Sequence, residues 1–323
     1  MIKLSVFGGA VREKSGVLVG YIGSYVFVWT LMMLTPVLRA LPVRLWSMLA
    51  WILTPIVWLA LKRRRKQAIL NLETVLELDL AKARSIGRAS FHSNLLVLFE
   101  SLALDRLLNQ KGVAVEVVIS PEALRIIDDL KSGKIKMALA LSSHSGVWEF
   151  IGAYLARLVH PTPTVVASKL PRNSVIASFL RRIRSEYGLT LVDKIHFLRH
   201  ILKQRHENSS FLNIFLCDQH FNRAGAVRVP FLGKQACTVG VPASIIQKYN
   251  TPTLMGHCIR RKAGSYRIEL QLLDVEPLGE LSGEAGRETI TTRINEILSS
   301  YILEAPEQWT WGHRRWRDCC DKR

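Results

Sequence analysis

Apolar positions change their spacing along this chain, first long unbroken runs, then helical repeats, then short bursts. From Ser15 to Leu38 there are 24 residues without a charge. As a helix this stretch would span about 36 Å at 1.5 Å per residue, the reach of a bilayer core. A cleaved leader would carry a shorter apolar segment ending in a small-residue cleavage site, so the run is read as a membrane-anchoring helix. A second apolar stretch, Leu45 to Leu61, is interrupted by Pro55 and followed at once by Lys62-Arg63-Arg64-Arg65-Lys66. Its length is marginal for crossing a bilayer. It reads as an interfacial or re-entrant segment whose basic end sits among anionic headgroups, with a two-helix hairpin as the alternative. The cations should keep the rest of the chain on the cytoplasmic side. Residues 1–66 are therefore expected to form an anchor and interfacial segment, and 67–323 a second domain.

Gln67 to Leu108 repeats apolar residues at helical spacing, with Ile69, Leu72, Val75, Leu76, Phe91, Leu95 and Phe99 on recurring faces. Strands and helices then alternate. Val113 to Ile119 reads as a strand, and Ser120 caps a helix with Pro121 at its first position and Gly133 at its end. Met137 to Leu141 is too short for a helix and reads as a buried strand. Helical spacing resumes at Trp148, Phe150, Ile151, Tyr154 and Leu155. Next come a β-rich run from Pro163 to Ser168, a helix from Ser174, a basic helix over 194–206 and an apolar strand from Phe211 to Cys217. Val227, Val229 and Phe231 suit an edge strand lining a groove, and Thr238 to Tyr249 a helix. Leu254–Arg260 and Tyr266–Leu273 pair as a hairpin, and Glu284–Leu303 is an amphipathic helix. This alternation predicts an α/β fold, a mostly parallel or mixed central sheet flanked by helices. Such sheets bind ligands outside the carboxyl ends of their strands. By that rule His144, Glu149, Lys169, Asp218 and Gln219 share one rim.

Charge narrows the partners. A formal net charge of +18 and a pI near 10.0 point to an anionic partner: nucleic acid, anionic lipid or an acidic carrier protein. With 49% hydrophobic residues and a mean hydropathy of +0.15, a membrane fits and nucleic acid does not. Five cysteines, odd in number and without a CxxC pair, argue against a disulfide scaffold and structural zinc. His196 and His200 face one way on a helix, but no carboxylate lies between them and neighbouring Arg and Lys would repel a cation, so no metal site is expected. No GxGxxG, Walker loop or GxSxG elbow occurs, so no nucleotide cofactor is indicated. The terminal Pro306-Glu-Gln-Trp-Thr-Trp-Gly-His-Arg-Arg-Trp interleaves Trp and Arg, a pattern expected at a membrane interface.

The chemistry centres on His144-Ser-Gly-Val-Trp-Glu149. Gly146 lets the chain turn after the strand. Glu149, in the first helical turn, would accept from one ring nitrogen while the other faces a substrate proton. A plain strand-end histidine bonded to backbone is the competing reading. Together with Asp218-Gln219 closing an apolar strand, the Val229-Pro-Phe-Leu-Gly-Lys-Gln-Ala-Cys-Thr run and the terminal Trp-rich motif, this segment resembles the late acyltransferases of lipid A biosynthesis. The likeness runs from the amino-terminal apolar segment to about Trp316. Val147 stands where many relatives carry Asn, and Cys217 where Pro is common.

The resemblance implies a glycerolipid acyltransferase-like fold and transfer of a fatty acyl chain from acyl carrier protein to a hydroxyl of a lipid A precursor or related glycolipid. It also implies a place in the bacterial inner membrane, with the catalytic domain in the cytoplasm. His144 would be the general base with Glu149 orienting it, and Arg184 would meet an oxyanion or a substrate phosphate. Asp218 would orient a basic partner or the acceptor sugar, and Lys169, Gln219 and Gly146 would contact substrate. No cofactor or metal is expected beyond the acyl-carrier co-substrate. The partners are acyl carrier protein, an anionic glycolipid and the bilayer. A thioesterase using the same base on water, an acyltransferase for another glycolipid, and a non-catalytic membrane scaffold are the alternatives.

Overall fold

The computed structural model describes residues 24–26, 28–171, 173–194, 196–275 and 282–317. The first part of the 15–38 run lies outside them. Its described part belongs to helix α1, Ser24–Ala40. After Pro42 comes α2, Val43–Ala60, with Pro55 inside it. Among the described residues, α2 is the one helix whose length and composition would let it cross a membrane. This is the stretch that the sequence pattern makes interfacial or re-entrant, and by length and composition alone it could also span. Trp46 and Ala50 of α2 are fully buried, whereas Trp51, Ile52, Ile56 and Leu59 are exposed. With Trp29, Met32 and Met33 of α1 they leave a wide apolar surface on these two helices. Helix α3, Lys62–Val75, runs unbroken through residue 66, so the basic cluster belongs to a helix that also enters the core through Ala68, Leu72 and Val75.

Helices α4, Leu80–Leu102, and α5, Leu104–Leu108, complete the helical first half. Strands and helices then alternate as β1 Ala114–Ile119, α6 Pro121–Lys131, β2 Met137–Ser142, α7 Trp148–Leu158, β3 Thr164–Ser168, α8 Ser174–Ser185, β4 Leu189–Asp193, α9 Phe197–His206 and β5 Phe211–Leu216. Local chemistry sets several boundaries. Ser120 Oγ accepts from the Ala123 amide with Pro121 at the first helical position, and Asn173 Oδ1 accepts from Val175 and Ile176 at the start of α8. The remainder is β6 Ala226–Phe231, β7 Lys234–Val239, α10 Val241–Tyr249, β8 Thr253–Lys262, β9 Ser265–Leu272 and α11 Gly283–Glu304.

Seven strands form one sheet in the order β1-β9-β8-β2-β5-β3-β4. All neighbours are parallel except the β8–β9 hairpin. The sheet is thus mixed and mostly parallel, as the alternation predicted. β4 was not foreseen, because Leu189–Asp193 is short and mostly half-buried. The expected edge strand at Val227–Phe231 instead pairs antiparallel with β7 in a separate two-stranded sheet.

Strand β2 is buried along its whole length. Its alternate residues feed two cores, Ala138 and Ala140 on one face, Met137, Leu139 and Leu141 on the other. The first core is covered by α2, α5, α6 and α7, the second by α3, α9, α10 and α11. Cys217 and Cys258 are buried free thiols, but Cys237 is disulfide-bonded, against the expectation from cysteine count.

One buried ion pair fastens α4 to the sheet. Arg260 donates to both oxygens of Glu100, from Nε at 2.7 Å and Nη2 at 2.6 Å, and the Tyr266 hydroxyl adds a third donor at 2.9 Å. Breaking a buried pair by removing one partner costs about 3–5 kcal/mol, because the other charge is stranded. Glu100→Ala is therefore expected to lower the unfolding free energy in detergent by about that amount. A denaturant midpoint unchanged from wild type would contradict it.

Candidate active site

The register of two neighbouring strands builds the site. Ser142 at the end of β2 lies opposite Leu216 of β5. Carrying that pairing two residues further sets His144 opposite Asp218, and there the side chains meet, with His144 Nδ1 2.8 Å from Asp218 Oδ1. The backbone then turns through Gly146 at φ +58°, where a Cβ would lie 1.9 Å from the Cys258 carbonyl oxygen. Only glycine fits so close an approach. The Val147 amide donates to that same Cys258 oxygen at 2.7 Å, and the Gly146 amide to the Gln308 oxygen at 3.0 Å. The loop carrying the imidazole is therefore anchored to β8 and to the Trp-rich segment before α7 begins.

Asp218 is fully buried and its second oxygen accepts from Trp309 Nε1 at 2.8 Å. Burial works against its charge, but the His144 ring and the indole N–H outweigh it and hold the carboxyl well below its ordinary range. An ionised carboxylate only accepts, so Nδ1 must carry the proton, and the lone pair falls to Nε2. His144 keeps about a fifth of its side chain exposed, and the edge of Trp148 meets its ring at a centroid distance of 5.4 Å. The arrangement is an oriented base with one face open to a reactant.

Trp309 is buried among Phe231, Trp311 and Trp316, and its carbonyl accepts from Ser90 of α4. Thr310 Oγ1 lies 3.3 Å from the His144 carbonyl oxygen and 2.9 Å from Asn94 Oδ1. Arg315 is sealed inside, donating to the Cys237 carbonyl and Thr238 Oγ1 with its guanidinium over Phe231. These placements correct the interfacial reading of the Trp-Arg segment, since Trp309, Trp311 and Arg315 are core residues. Sequence reasoning gave Trp309, Thr310 and Asn94 no part in the site. The signal lay in the motif itself, where an indole donor is an expensive group to bury without an acceptor.

A second correction concerns Glu149. It does not hold His144. Its two oxygens are taken by Arg184, whose Nε reaches Oε2 at 3.0 Å and whose Nη2 reaches Oε1 in the same fork. The first turn of α7 points Glu149 toward α8, so the pairing foreseen within one hexapeptide is exchanged for one across 74 residues. Lys169 stands exposed just past β3, two strands from β2, and bonds to no described residue.

Gln219, next to Asp218, lines an apolar groove of about 460 Å³ with Thr310, Phe91, Leu95, Val57 and Leu61. This groove brings the rim into contact with α2. A polar basin of about 570 Å³ adjoins it, sharing Arg64, Gly312 and His313. His313 is pushed down to about 4, mainly by burial, with nearby Asp218 pulling the other way, so it is neutral at neutral pH. Among the described residues one group has the spacing of metal ligands, His257, Glu269 and Glu304, with ligand atoms within 4.8 Å of one another. Arg267 already pairs with both carboxylates and Arg261 with Glu304.

An ionised carboxylate behind a strand-end imidazole, beside an apolar groove on a mixed α/β sheet, is an arrangement chemically able to accept a proton from a group bound there. The chain belongs to the bacterial lipid A biosynthesis acyltransferases, whose family model matches residues 20–318. No curated protein matches it.

Trp309→Phe removes one donor from a buried, charged carboxylate and is expected to cost about 1.5–3 kcal/mol, the range for hydrogen bonds to charged groups. An unfolding curve coincident with wild type would overturn the role given to the indole. His313 titrates near 4 when folded against an ordinary value of 6.5. Between those values the unfolded chain takes up a proton that the folded chain refuses, so stability rises with pH across that window. Asp218, depressed when folded, likewise contributes stability above its ordinary range that is lost as pH falls. In melting temperatures taken from pH 4 to 7, His313→Gln should flatten the slope. An unaltered slope would mean that His313 does not titrate in this way.

Proposed function

We propose that the protein moves a fatty acyl chain from an acyl carrier protein thioester to a hydroxyl of a lipid A precursor or related glycolipid. The work is done at the bacterial inner membrane, with the sheet on the cytoplasmic side. The observation that supports this most is the His144–Asp218 hydrogen bond, which leaves Nε2 as the acceptor. Nε2 takes the proton of the acceptor hydroxyl as its oxygen attacks the thioester carbonyl carbon. The resulting tetrahedral oxyanion collapses, the carbon–sulfur bond breaks, and the imidazolium returns its proton to the leaving thiolate. Asp218 stays ionised throughout and stabilises the imidazolium between the two transfers.

Glu149 and Arg184 act as one unit. The carboxylate fixes the guanidinium through Nε and Nη2, and the remaining N–H groups are available to a developing negative charge. Gln219 and Thr310 on the groove rim are the contacts for the acceptor. The exposed apolar residues of α1 and α2 are the face for the bilayer. The excess of positive charge suits an acidic carrier protein and anionic lipid.

With acyl carrier protein thioester and a phosphorylated glycolipid in detergent, His144→Ala is expected to lose about 10²–10⁴-fold in transfer rate, the usual worth of a positioned base. Asp218→Asn should fall into the same range, and Glu149→Gln should fall less. Release of free fatty acid at full rate without the lipid acceptor would replace this reading with a thioesterase. An unchanged lipid profile in cells carrying His144→Ala would reduce the protein to a scaffold.

A further inference from the structure

The basin beside the groove is lined by four guanidinium groups, Arg63, Arg64, Arg314 and Arg317, and two imidazoles, His220 and His313, with no carboxylate. Its position makes that concentration costly. Arg63 and Arg64 lie in the first turn of α3, where the helix dipole is already positive and where acidic residues normally stand; α3 has none there. Arg64 uses one nitrogen on the Gly312 carbonyl at 3.0 Å, while Arg63 and Arg314 pair with no described residue. His313 Nδ1 is buried without a hydrogen-bond partner. Like charges gathered at the positive end of a helix are relieved by an anion.

Geometry says which kind. The basin is far larger than one phosphate needs, and it lies beside the apolar groove, with Arg64, Gly312 and His313 lining both. Gly312 sits tight against Arg64, where a Cβ would press on Arg64 Cβ and its carbonyl oxygen at 3.3 Å. The groove leads to Gln219 and Thr310, which flank the His144–Asp218 pair. We propose that this basin is the phosphate-ester site of the acceptor, gripping a phosphorylated headgroup through Arg63, Arg64 and Arg314 while the apolar part of the same molecule lies in the groove. It rests on the acyl-transfer reading for the identity of the acceptor, but not for the existence of the anion site. The site would hold the acceptor at one end and set which of its hydroxyls meets Nε2.

Binding tests this apart from turnover. In neutral detergent micelles, with His144→Ala to prevent reaction, three probes are titrated: a glycolipid phosphomonoester, the same lipid dephosphorylated, and phosphopantetheine. Arg63→Gln with Arg314→Gln is expected to weaken the phosphorylated lipid at least tenfold and the dephosphorylated lipid less than twofold. Melting temperature should hold or rise, because both changes remove charge from a crowded positive site. The single substitutions serve as a second set should the pair fold poorly. Equal affinity of wild type and variant for the phosphorylated lipid overturns the proposal. So does a parallel loss for both lipids, or a loss confined to phosphopantetheine, which would give the basin to the donor. Wild-type acyl transfer is assayed separately. A protein that binds the phosphorylated lipid through these arginines yet transfers no acyl group would sink the enzymatic reading and leave the site standing.

Discussion

A carboxylate with no access to water governs this architecture. Asp218 is charged in a place where charge is expensive, and it survives there because one oxygen meets an imidazole N–H and the other an indole N–H. Three stretches of chain are committed by those two contacts: the turn after β2, the end of β5, and the Trp-rich segment after α11. Each is braced in turn. Ser90 and Asn94 of α4 hold the Trp-rich segment, Cys258 of β8 holds the turn, and the parallel pairing of β2 with β5 sets the distance between the two strand ends. Chemistry and stability are hard to separate here, since the group that orients the base also ties the segments together.

The helical first half serves the same centre from another side. Helix α4 touches the Trp-rich segment through Ser90 and Asn94 and the sheet through Glu100, so a single helix braces both the base and the hairpin β8–β9. Helix α2 packs on it with one face and leaves the other apolar and open. An apolar groove running from α2 to the strand rim needs this layout, because neither the sheet nor the amino-terminal helices could form it alone.

Much of this was readable from sequence where the determinant was local. The cap at Ser120, the apolar bursts of β2 and β5, and the hairpin of β8 and β9 each depend on neighbours a few residues away. Their common rim followed from the alternation of strands and helices. What could not be read was partnership. His144 and Glu149 are close in sequence, and a strand-end base followed by a carboxylate is a plausible couple. Yet the first turn of α7 directs Glu149 to Arg184, and the partner of His144 comes from a parallel strand whose register no local pattern reveals. The Trp-Arg segment misled for a related reason. Amphipathic side chains suit an interface, but Arg315 finds carbonyl and hydroxyl acceptors inside, so the core could take it. The two-stranded sheet of β6 and β7 was half seen, because the turn at Leu232–Gly233, with both residues at positive φ, folds the second strand back on the first.

Trp309 lies 91 residues beyond Asp218 along the chain. During synthesis, therefore, the amino-terminal helices and most of the sheet leave the ribosome long before the indole that completes the carboxylate's environment. Until it arrives, the aspartate has one partner instead of two and is free to turn away from the imidazole. The strand-end base is thus synthesised well before the residue that completes the setting of its partner.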